Sequence, residues 1–296
     1  MSPHATIESG ITVVIPTYNR ASLVVRAVNS ALESGDRTTR AIVVDDGSTD
    51  DTLQRLVDPG DERMRVLSQT RKGAPAARNR GAAEADTPWL LFLDSDDELL
   101  ASGLRELASR LSPEAGLVSG DQLRRHLDGS TTRAGAWDLS FVSAGAAALL
   151  GSGTYIVARD LFLELGGFDT TLRSAQHTDL AFRLIPLLAD HGRHIEHVPE
   201  PIAVHHIGSP LSIRKDQRAV LDGTEGLLER HRGLLEATPR VLADYHGVAG
   251  VAASRCQEPA RARRHFVAAV RCQPTSLKRW MRMIVSSVPL GSRFWR

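Results

Sequence analysis

The first hundred residues alternate between short apolar runs and amphipathic segments. The apolar runs are rich in β-branched residues and stop at polar or proline positions, as buried strands do. The segments between them repeat apolar residues every three or four positions, which predicts helices. The predicted strands are 11–15, 41–44, 64–67 and 88–93, and the predicted helices are 21–34, 48–57, 74–85 and 98–111. Repeated strand–helix units predict an α/β fold whose mostly parallel sheet is flanked by helices.

The pattern changes after the fourth unit. It predicts a hairpin over 123–132, a strand over 154–158, helices over 160–165 and 178–189, and extended segments over 195–198 and 202–205. Beyond Ser212 the pattern is helical throughout. We therefore predict an α/β domain over residues 1–212 and an all-helical C-terminal extension over 213–296.

Composition favours a cytoplasmic protein. No stretch reaches the roughly 18 apolar residues that a membrane-spanning helix needs. Residues 1–10 lack the basic and apolar regions of a secretory signal. The two cysteines, Cys256 and Cys272, form no metal-binding or redox motif.

The net charge of +1 hides an uneven distribution, because residues 255–296 hold ten Lys and Arg against one acid, Glu258. Residues 278–285 mix these charges with bulky apolar residues, and Phe294-Trp295 follows near the end. One interpretation is an interfacial helix in peripheral contact with the inner face of the cell membrane. The other is a helical cap whose apolar side packs on the α/β domain. Apart from its charge, the extension has no feature that favours nucleic-acid binding.

An acidic run, Asp94-Ser95-Asp96-Asp97, directly follows the predicted strand 88–93. Carboxylates this close repel one another, and a divalent cation or a helix terminus would stabilise them. The run therefore indicates either a metal site or the capped start of the helix predicted from Glu98. A second acidic pair, Asp45-Asp46, follows the predicted strand 41–44. Both runs lie at carboxyl ends of strands, where parallel sheets bind their ligands.

No G-x-G-x-x-G follows the first strand and no G-x-x-x-x-G-K-[ST] occurs, which argues against a dinucleotide dehydrogenase and a P-loop kinase. Six other motifs follow in order, over residues 11–212. They are Pro16-Thr17-Tyr18-Asn19, Asp45-Asp46-Gly47-Ser48, Gly73 with Ala77-Arg78-Asn79, Asp94-Ser95-Asp96, Gly166-Gly167-Phe168-Asp169 and His206-Ile207-Gly208-Ser209. In this order they resemble the motifs of the family 2 glycosyltransferases, which have the GT-A fold and transfer a sugar from a nucleotide-diphosphate donor, usually with inversion.

The resemblance implies a donor site at these motifs. Its nucleotide-binding residues would be Pro16, Thr17, Tyr18, Asn19, Asp45, Asp46, Arg78, Asp94 and Ser95. Asp94, Asp96 and His206 would hold Mg²⁺ or Mn²⁺. The donor would be a UDP- or dTDP-sugar, since a carboxylate can accept a hydrogen bond from the ring N–H of the base. The acceptor would be a saccharide, a lipid-linked molecule or a natural product.

The chain departs from the family at the catalytic base. The family usually carries Glu-Asp-x-Asp-Leu, whereas this chain has Gln176-His177-Thr178-Asp179-Leu180. A neutral imidazole can accept a proton near pH 7, so His177 is our candidate for the base, with Asp179 or the substrate itself as alternatives. A sugar-nucleotide-binding or scaffold protein without turnover is a further alternative. A nucleotidyltransferase is a weaker one, because Pro16-Thr17-Tyr18-Asn19-Arg20 is not the glycine-rich basic loop that such an enzyme needs after its first strand.

Overall fold

The computed structural model describes residues 10–56, 61–148, 150–207 and 216–287. The chain divides into two compact units. The first comprises residues 1–170 and 180–209, and the second comprises residues 171–179 and 210–296. The second unit thus contains a short segment, 171–179, together with the C-terminal helices. The predicted domain boundary at residue 212 lies outside the described residues and stays a prediction.

The first unit is built on a mixed sheet. Its strands are β1 (Ile11–Thr17), β2 (Arg40–Asp45), β3 (Met64–Ser68), β4 (Trp89–Phe92), β5 (Glu98–Leu99), β6 (Ala115–Arg125), β7 (Thr131–Ala134), β10 (Tyr155–Ala158) and β11 (His194–His206). The strand order is β3-β2-β1-β4-β10-β6-β11-β5, and β7 pairs with β6. A small separate sheet joins β8 (Trp137–Asp138) to β9 (Ala147–Ala148).

The first four strands are parallel, as the repeated strand–helix units predict. Every residue of β1 and β4 is buried, which explains why both strands appear in the sequence as continuous apolar runs. The chain runs outward from β1 to β2 and β3, and then returns to place β4 on the other side of β1. In sheets with such a reversal, ligands usually bind at the carboxyl ends of the two strands beside it, which here are β1 and β4.

The other half of the sheet is mixed. Strand β10 is antiparallel to β4 and to β6, whereas β6 and β11 are parallel. The predicted hairpin forms between β6 and β7. The two extended segments predicted around Pro199 and Pro201 belong to the single strand β11, whose pairing register shifts between Val198 and Ala203. These shifts accommodate the prolines, which cannot donate to the ladder.

Helices join the strands of this unit. They are α1 (Val24–Ser34), α2 (Thr52–Leu56), α3 (Ala74–Glu84), α4 (Gly103–Ala108) and α5 (Arg159–Glu164), and α6 (Gln176–Asp190) begins in the second unit and continues into the first. Helix α3 packs closely on β1 because Gly81 has no side chain, and a Cβ there would lie 2.4 Å from Val14 Cγ1. This contact brings the residues of α3 against the central strand.

The helix predicted over residues 98–111 is wrong in its first part. Glu98 and Leu99 form β5, which pairs with Val204 and Ala203 of β11, and α4 begins only at Gly103. A Cβ at Gly103 would lie 2.4 Å from the carbonyl oxygen of Ile202. The pairing with β11 outweighs the local helical pattern, because it gives the backbone a strand partner at that point.

The C-terminal helices of the second unit confirm the predicted all-helical extension. They are α7 (Gln217–Arg230), α8 (Arg232–Glu236), α9 (Pro239–Arg255), α10 (Pro259–Cys272) and α11 (Leu277–Ser287). Phe266 fills the centre of their core, where a Cβ at Gly250 would lie 2.6 Å from its ring. Among the described residues, no helix combines the length and apolar character needed to cross a membrane. The predicted interfacial residues Phe294 and Trp295 lie outside the described residues.

Candidate active site

Three carboxylates meet just beyond the end of β4. Oxygens of Asp94, Asp96 and Asp97 all lie within 4.8 Å of one another, and this is the one such acidic group within the described ranges. The backbone N–H of Asp94 donates to Ser152 Oγ at 2.7 Å, which fixes the start of the turn. The helix-cap interpretation is wrong for this run, because α4 begins at Gly103, six residues beyond Asp97. Hard carboxylate oxygens suit Mg²⁺ or Mn²⁺, so this donor set fits the predicted metal.

Asp97 is the member of this group that lies outside the Asp94-Ser95-Asp96 motif. Its side chain is buried, with Oδ2 2.9 Å from His205 Nδ1 and Oδ1 accepting from the backbone N–H of His206 at 3.2 Å. Burial raises the pKa of the Asp97 carboxyl, and the hydrogen bond from His205 opposes that rise. The signal available in the sequence was its place in the acidic run.

His206 is engaged elsewhere. Its Nε2 lies 2.6 Å from Glu98 Oε1, and it is not a member of the acidic group. Glu98 is also 3.3 Å from Arg26 Nε. The prediction that His206 binds metal stays a prediction, and Gly208 and Ser209 of the same motif lie outside the described residues.

Two arginines pair with two of the three carboxylates. Arg20 Nη1 lies 2.9 Å from Asp96 Oδ2, with both side chains less than a fifth exposed. Arg78 forms an ion pair with Asp94 Oδ1, and its own side chain is buried. Arg20 follows directly after the Pro-Thr-Tyr-Asn motif but received no role from the sequence. These pairs bring β1, α3 and the end of β4 together around one cluster of charge.

The acidic pair at the end of β2 organises two loops. Asp46 accepts three hydrogen bonds, from Gln69 Nε2 at 2.8 Å, Lys72 N at 2.8 Å and Gly73 N at 2.7 Å. Asp45 accepts from the backbone N–H of Ser48 at 3.1 Å. A carboxylate has about four acceptor positions, so Asp46 keeps one for a ligand.

The residues at the end of β1 change from buried positions in the strand to partly exposed positions after it. Pro16 and Thr17 lie within the strand and are buried, and Thr17 Oγ1 makes no hydrogen bond to any described residue. Tyr18 is partly exposed, and the Arg71 guanidinium carbon lies 4.0 Å from its ring centroid. Asn19 has a left-handed backbone (φ 51°), and its Oδ1 accepts from Thr49 N at 2.8 Å. Asn19 thereby ties the loop after β1 to the loop after β2.

Asn79, like Arg20, received no role from the sequence. Its Nδ2 donates to the carbonyl of Phe168 at 2.8 Å, and its Oδ1 accepts from the N–H of Phe168 at 2.8 Å. A Cβ at Gly167 would lie 2.5 Å from Asn79 Oδ1, and Gly167 has φ 72°. Because Gly167 has no side chain, the Asn79 amide can come close enough to bond both the N–H and the carbonyl of Phe168, which fixes the Gly-Gly-Phe-Asp loop.

The candidate base residues belong to the second unit. His177 is partly buried near the start of α6. Asp179 is fully buried, and its Oδ1 lies 2.9 Å from His231 Nε2 and 3.8 Å from Arg230 Nη1. Asp179 thereby ties the start of α6 to the junction between α7 and α8.

The comparisons with known proteins agree with the motif order. Residues 12–154 match the family described as "Glycosyl transferase family 2". This chain carries a family 2 glycosyltransferase domain. The "Succinoglycan biosynthesis protein ExoO" of Rhizobium meliloti is 35% identical over 125 residues, which are 42% of this chain and 36% of that protein. The chain thus spans little more than a third of this relative.

Two solved structures share the fold of this chain. S. aureus TarS 1-349 in complex with UDP-GlcNAc has a TM-score of 0.61 at 17% identity, covering 96% of this chain and 87% of that one. A Pyrobaculum calidifontis mannosyltransferase in complex with GDP-Man and Mn²⁺ has a TM-score of 0.60 at 16% identity, covering 96% of this chain and 86% of that one. These likenesses confirm the predicted GT-A-like fold.

Proposed function

We propose that this glycosyltransferase moves a sugar from a nucleotide-diphosphate sugar to an acceptor hydroxyl, with inversion and with the help of a divalent metal. The proposal depends above all on the strand ends of the matched domain. Asp45 ends β2 and Asp46 follows it, and Asp94, Asp96 and Asp97 follow β4, on the two sides of β1. This is where a parallel sheet presents its ligand site, and carboxylates there suit a metal that binds phosphate oxygens.

Each group on this side has a proposed task. Asp94 and Asp96, with Asp97, would hold the metal, which when bound would neutralise charge on the departing diphosphate. Arg78 would donate to phosphate oxygens, since its guanidinium already pairs with Asp94 of this group. Asp46 would accept from the nucleobase. The proposal of a UDP- or dTDP-sugar rests on that acceptor and is supported by the UDP-GlcNAc complex of TarS.

For the base we propose His177. As the acceptor oxygen attacks the anomeric carbon and the bond to the diphosphate breaks, the imidazole would take the hydroxyl proton. The contacts of the buried Asp179 carboxylate with His231 and Arg230 favour His177, because that carboxylate already forms a structural pair. The acceptor class, whether a saccharide, a lipid-linked molecule or a natural product, stays open; the name of ExoO supports a saccharide.

A protein that binds sugar nucleotides without turnover is the second candidate, favoured by the replacement of the usual carboxylate by His177. We retain the expectation of a cytoplasmic location, which rests on the two free cysteines.

The test is a panel of nucleotide sugars with Mn²⁺. We expect one sugar nucleotide to raise the melting temperature and to release its nucleoside diphosphate, slowly with water and faster with acceptor. Asp96→Asn should lose the part of this stabilisation and of this release that depends on Mn²⁺. Stabilisation without release would favour the binding protein, and no stabilisation by any nucleotide would refute the proposal.

A matched pair of histidine variants tests the base. We expect His177→Ala to abolish transfer while keeping the thermal shift with donor, because the donor-binding groups are untouched. His191→Ala, a change at an exposed histidine paired with Glu164, should keep transfer. Unchanged turnover of His177→Ala would contradict the assignment.

A further inference from the structure

Helix α11 (Leu277–Ser287) is packed with its apolar side outward. Leu277, Trp280, Met281 and Ile284 are 74%, 41%, 57% and 57% exposed. At about 100° per residue these four positions fall within roughly a third of the helix circumference, so they form one continuous stripe. We call these four residues the α11 stripe. An ordinary surface helix would turn such a stripe toward the core.

The inward side of α11 carries an arginine. Arg279 is only 8% exposed, and its guanidinium donates to the carbonyl of Ala243 at 2.7 Å, to Asp244 Oδ1 at 2.9 Å and to Gln273 Oε1 at 2.9 Å. Met283 packs beside it against the helical core. These contacts fix the rotation of α11, because turning the stripe inward would leave a buried guanidinium without its partners. The exposure of the stripe is therefore built into the packing of this unit.

The part of the chain that holds the α11 stripe is mostly basic. From Arg255 to the end of α11 the chain holds eight Lys and Arg and one acid, Glu258. Five of these cations form no ion pair with any residue that the structure describes: Arg263, Arg264, Arg271, Lys278 and Arg282. Lys278 lies on α11 next to the stripe, whereas Arg282 lies farther round the helix, with its Nη1 3.3 Å from the position of a Cβ at Gly247.

We infer that α11 lies in the surface of an anionic lipid bilayer, with the α11 stripe inserted among the lipids and its cations at the headgroups. An apolar stripe with a tryptophan, next to Lys278 on a helix that holds three cations and no acid, is the composition of interfacial helices. Charge decides between this occupant and a second copy of the chain, since two such basic faces would repel each other. The inference is independent of sugar transfer.

The test is cosedimentation of the full chain with vesicles of phosphatidylglycerol and phosphatidylcholine in about equal parts, without any nucleotide. We expect binding to these vesicles, weak binding to pure phosphatidylcholine, and a decrease as salt rises from about 0.1 M to about 0.5 M. Replacing Leu277, Met281 and Ile284 together by Gln should lower the partition coefficient at least about tenfold. Lys278→Gln should lower it roughly fivefold on the anionic vesicles alone.

The matched control is Leu127→Gln with Leu163→Gln, which removes exposed apolar side chains from the first unit and should leave binding unchanged. If the triple variant loses its helical circular dichroism, the single change Met281→Gln at a 57% exposed position replaces it, with a loss of about threefold expected. A blue shift of tryptophan emission on the anionic vesicles, lost in Trp280→Phe, would add support.

Three results would overturn the inference. The first is no binding to anionic vesicles. The second is equal binding by wild type and the stripe variants. The third is a dimer in light scattering that the stripe variants dissociate, which would assign the α11 stripe to a second copy.

Discussion

Replacing Arg20 by Gln should strengthen metal binding, although Arg20 lies in the proposed active site. Arg20 Nη1 is 2.9 Å from Asp96 Oδ2, so a cation that uses this oxygen must first displace the guanidinium. At that distance the Coulomb attraction is roughly 6 kcal/mol for an effective dielectric constant near 20. The cost of desolvating both charges offsets most of it, which leaves ~2 kcal/mol for a pair this buried. Removing the competitor should then tighten Mn²⁺ binding ~30-fold.

The measurement is the concentration of free Mn²⁺ from its electron paramagnetic resonance signal during a titration, which needs no turnover. Arg26→Gln is the matched control. It also removes one positive charge nearby, but Arg26 donates to the backbone carbonyl of Asp96, at 2.9 Å, and not to its carboxylate. We expect less than about a threefold change for Arg26→Gln, because only the screened long-range repulsion is lost. Without metal, Arg20→Gln should melt below wild type, since Asp96 then lacks its partner.

The reasoning would be refuted if Arg20→Gln bound Mn²⁺ no tighter than wild type, or if Arg26→Gln had the same effect. In the first case Arg20 and the metal would not share Asp96. In the second case the gain would come from net charge alone. No Mn²⁺ binding by any of the three proteins, even with a nucleoside diphosphate present, would refute the metal site itself.

Two further predictions concern the second unit. His231→Ala should lower the free energy of unfolding by about 3 kcal/mol in urea, because it removes the His231 contact of the buried Asp179 carboxylate. His191→Ala, at an exposed pair, should cost less than about 0.5 kcal/mol, and equal costs would contradict this account. Burial and the neighbouring His265 lower the pKa of His246 from 6.5 to about 4, so the unfolded chain binds this proton first and stability is lost as pH falls from 6.5 toward 4. His246→Asn should reduce the fall in melting temperature between pH 6.5 and pH 4, and an unchanged slope would contradict this assignment to His246.

The sequence predicts the parallel half of the fold well and part of the mixed half poorly. Strands β1 and β4 are buried on both faces, so their apolar runs are unmistakable. The sequence pattern did not predict a strand over residues 115–122 of β6. Gly116 and Gly120 lie there because Leu188 and Ile202 occupy the space that side chains would take, with a Cβ 2.2 Å and 2.1 Å from them. Such glycines lower the apparent strand propensity at positions where close packing requires them.

The motifs place the candidate site but not the partners of its charges. Position after a strand shows where a carboxylate lies along the chain, and the strand order brings the carboxylates to one edge. The partner of each is decided by contacts between distant segments. Arg20 and Asp96 are 76 residues apart, and Asp97 and His205 are 108 apart. A pattern of neighbouring residues in the sequence cannot predict such a pair.

This difference matters for how a metal site is recognised. An acidic motif identifies oxygen ligands, but their availability depends on the cations that already contact them. Here Asp94 and Asp96 are both paired with arginines, so a metal gains these oxygens only if the guanidiniums find another acceptor. A donor diphosphate is such an acceptor, because guanidiniums bind phosphate and carboxylate oxygens in the same way. Metal and donor should therefore strengthen each other's binding by the same factor, as linkage requires. The arginines would make the metal site depend on the donor.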